Sequence, residues 1–344
     1  MGRGSLKRFW MRVARSQSRA MGQLALRTRQ KLNTLKGLVP RGPRPMRQPR
    51  VSREDDRRLP MATGRVGQRA YHLFEPAGDP PATGWPLMVM LHGCGQDARG
   101  FACSTGMNRL ASSAGFMVLY PEQDRLAHAQ ACWNWFDVRS GRAQREAASI
   151  LAVVDALCET NPVDRQCVVV AGLSAGASMA ALLALQSPER FLAVAMHSGV
   201  GPGVAVSTAT ALSAMRGQMP GGGARLPAPP AGLPALLVIQ GSRDTVVVPS
   251  NGPSAVQRWS ASVKAERSTP RVVQRGARYA VTLNDWRVGK QVVATLAEVA
   301  GLGHAWSGGV ATQAHVDPAG PDASRMVWAF AQRERARRDA MPAG

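Results

Sequence analysis

Hydrophobic positions along this chain fall into short unbroken runs, separated by stretches with helical spacing. Residues 86–91 are apolar throughout and stop at His92-Gly93. Runs of the same kind occupy 116–120, 167–171, 192–196 and 235–239. Between them, Ala147, Ile150, Leu151, Val154 and Leu157 recur every three or four residues and predict a helix over 143–160. Residues 104–114 and 174–186 read the same way. Unbroken apolar strands alternating with helices predict an α/β fold, with a mostly parallel central sheet covered on both faces. Right-handed crossovers connect such strands. Ligands bind at their carboxyl ends.

Distinctive residues lie at those ends. Gly172-Leu173-Ser174-Ala175-Gly176 follows the strand 167–171 and opens the next helix. G-x-S-x-G in this strand–turn–helix setting lifts a serine hydroxyl above the sheet, and Ala175 N–H then faces an oxyanion. A serine at its ordinary pKa needs a base, and in this arrangement the order is Ser, acid, His. Asp244 follows the run 235–239, and His304 lies in Gly303-His304-Ala305-Trp306. Asp285 and Asp317 are fallback acids. His197 reads as a packed, hydrogen-bonded side chain. The second oxyanion donor is expected from the loop after an early strand, which points to the Cys94 N–H in His92-Gly93-Cys94-Gly95-Gln96, with His92 bracing the loop.

Trp133, Trp135 and Phe136 concentrate aromatic surface in a chain that is only 5% aromatic. An apolar ester needs such a wall. Trp135 and Trp306 are the candidate substrate-binding side chains. Cys132 can approach Cys94 or Cys103, while Cys158 and Cys167 bracket a helix–strand connection, so spacing alone leaves the pairing open. No Cys/His spacing suggests a metal site.

These segments resemble one family. His92-Gly93-Cys94-Gly95-Gln96, Cys132-Trp133-Asn134-Trp135-Phe136, Gly172-Leu173-Ser174-Ala175-Gly176-Ala177-Ser178-Met179, Gly241-Ser242-Arg243-Asp244 and Gly303-His304-Ala305-Trp306-Ser307-Gly308-Gly309 look, in this order, like the polyhydroxybutyrate (PHB) depolymerase esterases. Those are α/β-hydrolases related to feruloyl and acetylxylan esterases. The resemblance spans about residues 65–330. It implies an α/β-hydrolase fold with Ser174 as nucleophile, His304 as base and Asp244 as orienting acid. It also implies cofactor-free hydrolysis of carboxylic esters, short-chain polyhydroxyalkanoates among them. Gly95 departs from the pattern, where threonine is frequent.

Charge divides the chain. Residues 1–60 hold 17 Lys and Arg against three Asp and Glu, so this sixth of the chain carries two thirds of the net +21. Leu6, Phe9, Trp10 and Val13 give it the spacing of a basic amphipathic helix, and the Pro-rich stretch 40–49 reads as a linker. The expected organisation is a basic arm over 1–60 and an esterase domain over 61–344, with a low-complexity insertion at 199–234. Such an arm attracts granules, anionic lipid or another polyanion. No nucleic-acid-binding module accompanies it. No apolar run is long enough to span a bilayer, and none follows the basic start as a secretory signal requires. The expected compartment is therefore cytoplasmic, granule-associated in one variant, with export as the alternative. A polyester or small ester is the expected substrate. Two rival readings are a feruloyl or acetylxylan esterase and a non-catalytic binding protein.

Overall fold

The computed structural model describes residues 59–218 and 232–340. The arm up to residue 58 and the Gly/Pro-rich core of the expected insertion lie outside the described residues.

Eleven strands form one sheet: β1 (Ala62–Val66), β2 (Arg69–Phe74), β3 (Trp85–Leu91), β4 (Met117–Pro121), β5 (Val163–Leu173), β6 (Ala193–His197), β7 (Ala235–Gly241), β8 (Glu266–Arg267), β9 (Arg271–Val273), β10 (Val281–Val288) and β11 (Gln291–Val299). Their order is β1-β2-β4-β3-β5-β6-β7-β11-β10-β8, with β9 also on β10. The run from β4 to β11 is parallel. β1 and β2 at one edge, and β10 beyond β11 at the other, are antiparallel. The predicted apolar runs are the central strands, buried along nearly their whole length because helices cover both faces.

Helices Arg142–Thr160 and Ala175–Gln186 lie where expected. The helix expected over 104–114 is two helices, Ala98–Thr105 and Met107–Ala114, broken at Gly106 with φ 63°. Within the stretch expected to be low in complexity, Thr208–Met215 is a helix. Ser207 and Thr210 cap it reciprocally, and Asn251 Nδ2 donates to the Ala214 carbonyl at 3.0 Å. The closing helix Ala323–Asp339 buries Val327, Trp328, Phe330 and Ala331, and Trp328 stacks on Phe116 at 4.0 Å. Among the described residues no helix is long and apolar enough to cross a membrane.

Candidate active site

β5 ends in a turn that forces an unusual backbone on Ser174, with φ 57° and ψ −119°. A non-glycine residue there stores strain, which the surroundings must hold. Two glycines make room for it. A Cβ at Gly176 would run into the carbonyls of Leu91 and His92, and one at Gly172 would run into the Gly176 backbone. The Ser174 N–H donates to the His197 carbonyl at 2.9 Å, and the Ser174 carbonyl accepts from Ser178 N–H at 3.1 Å. Ala175 is the first residue of the following helix, where the opening amides have no acceptor inside the helix and the dipole is positive.

The loop after β3 comes beside the serine: a Cβ built on Gly93 would lie 3.6 Å from Ser174 Cβ. Its shape is held from several sides. Gly93 N–H donates to Gln96 Oε1 at 2.8 Å, and Gly95 N–H to the Gln130 carbonyl at 2.7 Å. His92 is fully buried. Its Nδ1–H donates to the Gly93 carbonyl at 2.9 Å, and its Nε2 accepts from Gln123 N–H at 3.2 Å. Burial pushes its pKa down to about 4, so it is neutral and structural, the bracing role expected for it. A disulfide joins Cys94 to Cys132, which settles the pairing that spacing left open. Cys103, Cys158 and Cys167 are outside any disulfide.

On the other side of the serine, the ends of β7 and β11 are stapled together. Ser242 N–H donates to the Val299 carbonyl at 3.0 Å, Arg243 N–H to Leu302 at 2.9 Å, and Gly301 N–H to Ser242 Oγ at 2.9 Å. Gly241 is required because a Cβ there would strike the Leu302 carbonyl. This staple sets Asp244 against His304, with Oδ2 2.8 Å from Nδ1. The other oxygen, Oδ1, accepts from Val246 and Val247 N–H, each at 2.9 Å. Burial alone would raise the Asp244 carboxyl. The His304 charge and hydrogen bond, together with the two amides, outweigh burial and hold the carboxyl below its usual range. Since the carboxylate can only accept, the His304 Nδ1–H is the donor in this bond.

Neither fallback acid takes this place. Asp285 lies on β10, bound by Thr295 Oγ1 at 2.7 Å and Arg287 at 3.0 Å, with Arg271 at 3.6 Å. Asp317 accepts from Ala319 N–H at 3.0 Å. His197 is fully buried between the two halves of the site. Its Nε2 accepts from Ser307 N–H at 3.1 Å and its ring stacks on Trp306. Burial, and then the nearby His304, push its pKa down to about 3.

One expectation is corrected. Trp306 is 1% exposed, its ring between His197 and Phe101 and its Nε1–H donating to Ser324 Oγ at 3.2 Å. It is core, and lines no open wall. Trp133 is also core, donating through Nε1 to the His92 carbonyl at 3.0 Å. Trp135 is mostly buried, edge-on to the more exposed Phe136. Sequence reasoning missed the polar supports behind this segment. Glu146 takes the Asn134 N–H and amide group at 2.8 and 2.5 Å. Gln123 Nε2 donates to the Cys132 carbonyl at 3.0 Å, and its Oε1 accepts from the buried Arg69, whose guanidinium lies over Trp133. Arg69 and Glu146 are charged residues in the sequence like any others; only their depth marks them.

The family model "Esterase PHB depolymerase" matches residues 69–260. Poly(3-hydroxyalkanoate) depolymerase C of Paucimonas lemoignei is 32% identical over 186 residues, covering 51% of this chain and 44% of that protein. Feruloyl esterase B of Thermothelomyces thermophilus is 27% identical, covering 51% of this chain and 64% of its own length. The chain thus spans about half the length of the curated relatives it matches. Among solved structures, an acetyl xylan esterase from Aspergillus awamori superposes with TM-score 0.57 at 19% identity, covering 71% of this chain and 94% of that one, a likeness of fold. With more than half of its residues matched by that family model, this chain belongs to the PHB depolymerase family of esterases.

Proposed function

We propose that the protein is a serine carboxylic ester hydrolase acting on short-chain polyhydroxyalkanoates such as polyhydroxybutyrate. Ser174 Oγ attacks the ester carbonyl while His304 Nε2 takes its proton. Asp244 holds the imidazole in one tautomer and balances its positive form. The amides of Ala175 and Cys94 receive the oxyanion. His304 then protonates the leaving alcohol, and water, activated by the same imidazole, releases the acid from Ser174.

The observation that carries this reading is the 2.8 Å contact between His304 and a buried, doubly capped Asp244, beside a serine held at positive φ. The polyester is favoured over the carbohydrate esters by the family model and by the relative at 32% identity, whose name is that of a polyhydroxyalkanoate depolymerase. For the compartment, the Cys94–Cys132 disulfide supports export over the cytosolic expectation, because such bonds persist where thiols are not kept reduced. The basic arm, with a net charge of +14 over residues 1–60, would hold the enzyme on an anionic surface.

The test is release of hydroxybutyrate from amorphous polymer granules by the full chain, with Ser174→Ala as the blank. Serine-dependent release supports the reading. No release from a preparation that still cleaves short soluble esters would remove the polymer and move the substrate to small or carbohydrate-linked esters.

A further inference from the structure

Beyond β11 the sheet carries a second concave site. The turn 274–280, β9, β10 and the start of helix Ala323–Asp339 enclose a pocket of about 330 Å³. Val281, Leu283, Met326 and Ala329 give it an apolar lining. Val272 and Val273, two of the few large apolar side chains exposed among the described residues, stand on the adjoining strand, and Val273 is itself part of the lining. Three arginines, Arg275, Arg278 and Arg325, line the same pocket, against one acidic residue, Asp322.

That carboxylate is committed to one of the three, Arg325, which leaves Arg275 and Arg278 unbalanced by it. Its Oδ1 accepts from Arg325 N–H at 3.0 Å as the helix cap, and its Oδ2 pairs with Arg325 at 3.4 Å. Arg278 spends one nitrogen on the Gly320 carbonyl at 2.6 Å, which fixes the guanidinium while leaving its other donors. Arg275 is exposed and has no ion-pair partner among the described residues. Like-charged groups gathered beside apolar surface, with too few acids to balance them, suit an anion that brings its own apolar part.

We propose that this pocket binds an apolar-tailed carboxylate. The headgroup is taken by Arg275 and Arg278, and the tail lies against Val281, Leu283 and Met326. The pocket stands at the catalytic edge of the sheet. Val281 pairs with Val299, and the Tyr279 ring comes within 3.8 Å of a Cβ built on Gly301, three residues before His304. The pocket itself is formed by none of the residues assigned to ester cleavage, so its occupancy does not depend on that chemistry. Two sources fit: a fatty acid, and the acid end of a hydroxyalkanoate oligomer.

Calorimetric titration of the full chain with octanoate, with a 3-hydroxybutyrate trimer and with 1-hexanol as the uncharged control tests this. Saturable binding of either acid is expected, with none for the alcohol, and the tighter acid names the source. Arg275→Gln should weaken that binding about tenfold or more, the usual worth of a charge-assisted hydrogen bond. Ala329→Glu, at an exposed position of the lining, should weaken it as well by placing a carboxylate at the mouth. Both variants should keep the wild-type melting temperature and soluble-ester turnover. Equal binding of acid and alcohol, absence of acid binding, or acid binding unchanged in both variants would overturn the proposal.

Discussion

Removing the Cys94–Cys132 bond by the double change Cys94→Ser/Cys132→Ser tests how the oxyanion side of the site is held. The bond closes a segment with a sequence separation of 38 residues. In the chain-entropy description, a loop of that size lowers the entropy of the unfolded chain by about 13 cal/mol/K, or about 4 kcal/mol at 25 °C. A domain of this size loses about 2–4 °C of melting temperature per kcal/mol, so the variant should melt about 10 °C lower. The catalytic effect should be smaller than loss of an oxyanion donor, which typically costs 10²–10³ in kcat. The loop keeps its bonds from Gly93 to Gln96, from Gly95 to Gln130 and from His92 to Gln123, so the Cys94 amide shifts without leaving. A fall in kcat of about tenfold, with KM little changed, is the expected result for a donor that acts on the transition state. Thermal melts followed by circular dichroism, and turnover of a soluble p-nitrophenyl ester, read both effects. Wild type in a thiol reductant should reproduce them. A melting temperature within about 2 °C of wild type would refute the loop argument. An unchanged kcat despite a large melting shift would detach the Cys94 amide from the oxyanion.

Other substitutions read the remaining parts. Ser174→Ala should lower kcat by about 10⁴-fold or more while leaving the melting temperature near wild type. Asp244→Asn should cost about 10⁴-fold in kcat by releasing the His304 tautomer. Asp285→Asn should leave turnover intact and lower stability by about 1–3 kcal/mol, because it weakens a buried carboxylate's bonds to Thr295 and Arg287; the reverse pattern would move the acid to Asp285. Gly176→Ala should cost about 3 kcal/mol by pushing a methyl into the Leu91 and His92 carbonyls, measured by denaturant unfolding. Acid should destabilise the fold through His92 and His197, whose folded pKa values of about 4 and about 3 lie below the value near 6.5 of an unfolded histidine. Below pH 6.5 the unfolded chain binds more protons than the folded one. The stability contribution is therefore complete above that pH and is lost as pH falls toward 4 and 3, at about 2 kcal/mol per histidine by pH 5. Denaturant midpoints that stay flat from pH 7 to 5 would contradict this.

The parallel core was legible because its strands are continuous apolar runs buried on both faces, a pattern that survives without knowledge of neighbours. The hairpin at the far edge of the sheet was not. β10 and β11 mix buried and half-buried positions without a regular period around a two-residue turn at Gly289-Lys290, and Asn284, Asp285 and Arg287 inside β10 read as a polar loop. Helix Ala323–Asp339 was obscured by its many arginines, while Val327, Trp328 and Phe330 carry its packing. Helix Thr208–Met215 was hidden by the glycines and prolines around it. Of the candidate site, Ser174 and Asp244 were proposed because each follows a readable apolar run, and His304 because it is the histidine beside glycine downstream of that acid.

Trp306 shows why composition misled at the one position that structure corrects. An aromatic two residues from a proposed base is expected at a substrate wall when the neighbours on the far side are unknown. Those neighbours are His197, Phe101 and Ser324, which surround the indole and satisfy its N–H. The tryptophan then has a different consequence. His197 gives its carbonyl to the Ser174 N–H and its Nε2 to the Ser307 N–H, three residues past His304, so one neutral ring links the nucleophile turn to the histidine loop. Trp306 packs against that ring and excludes water from it. His304, the base in the mechanism proposed above, is therefore positioned from two sides: by Asp244 through its own imidazole, and by a buried histidine–tryptophan stack through its loop.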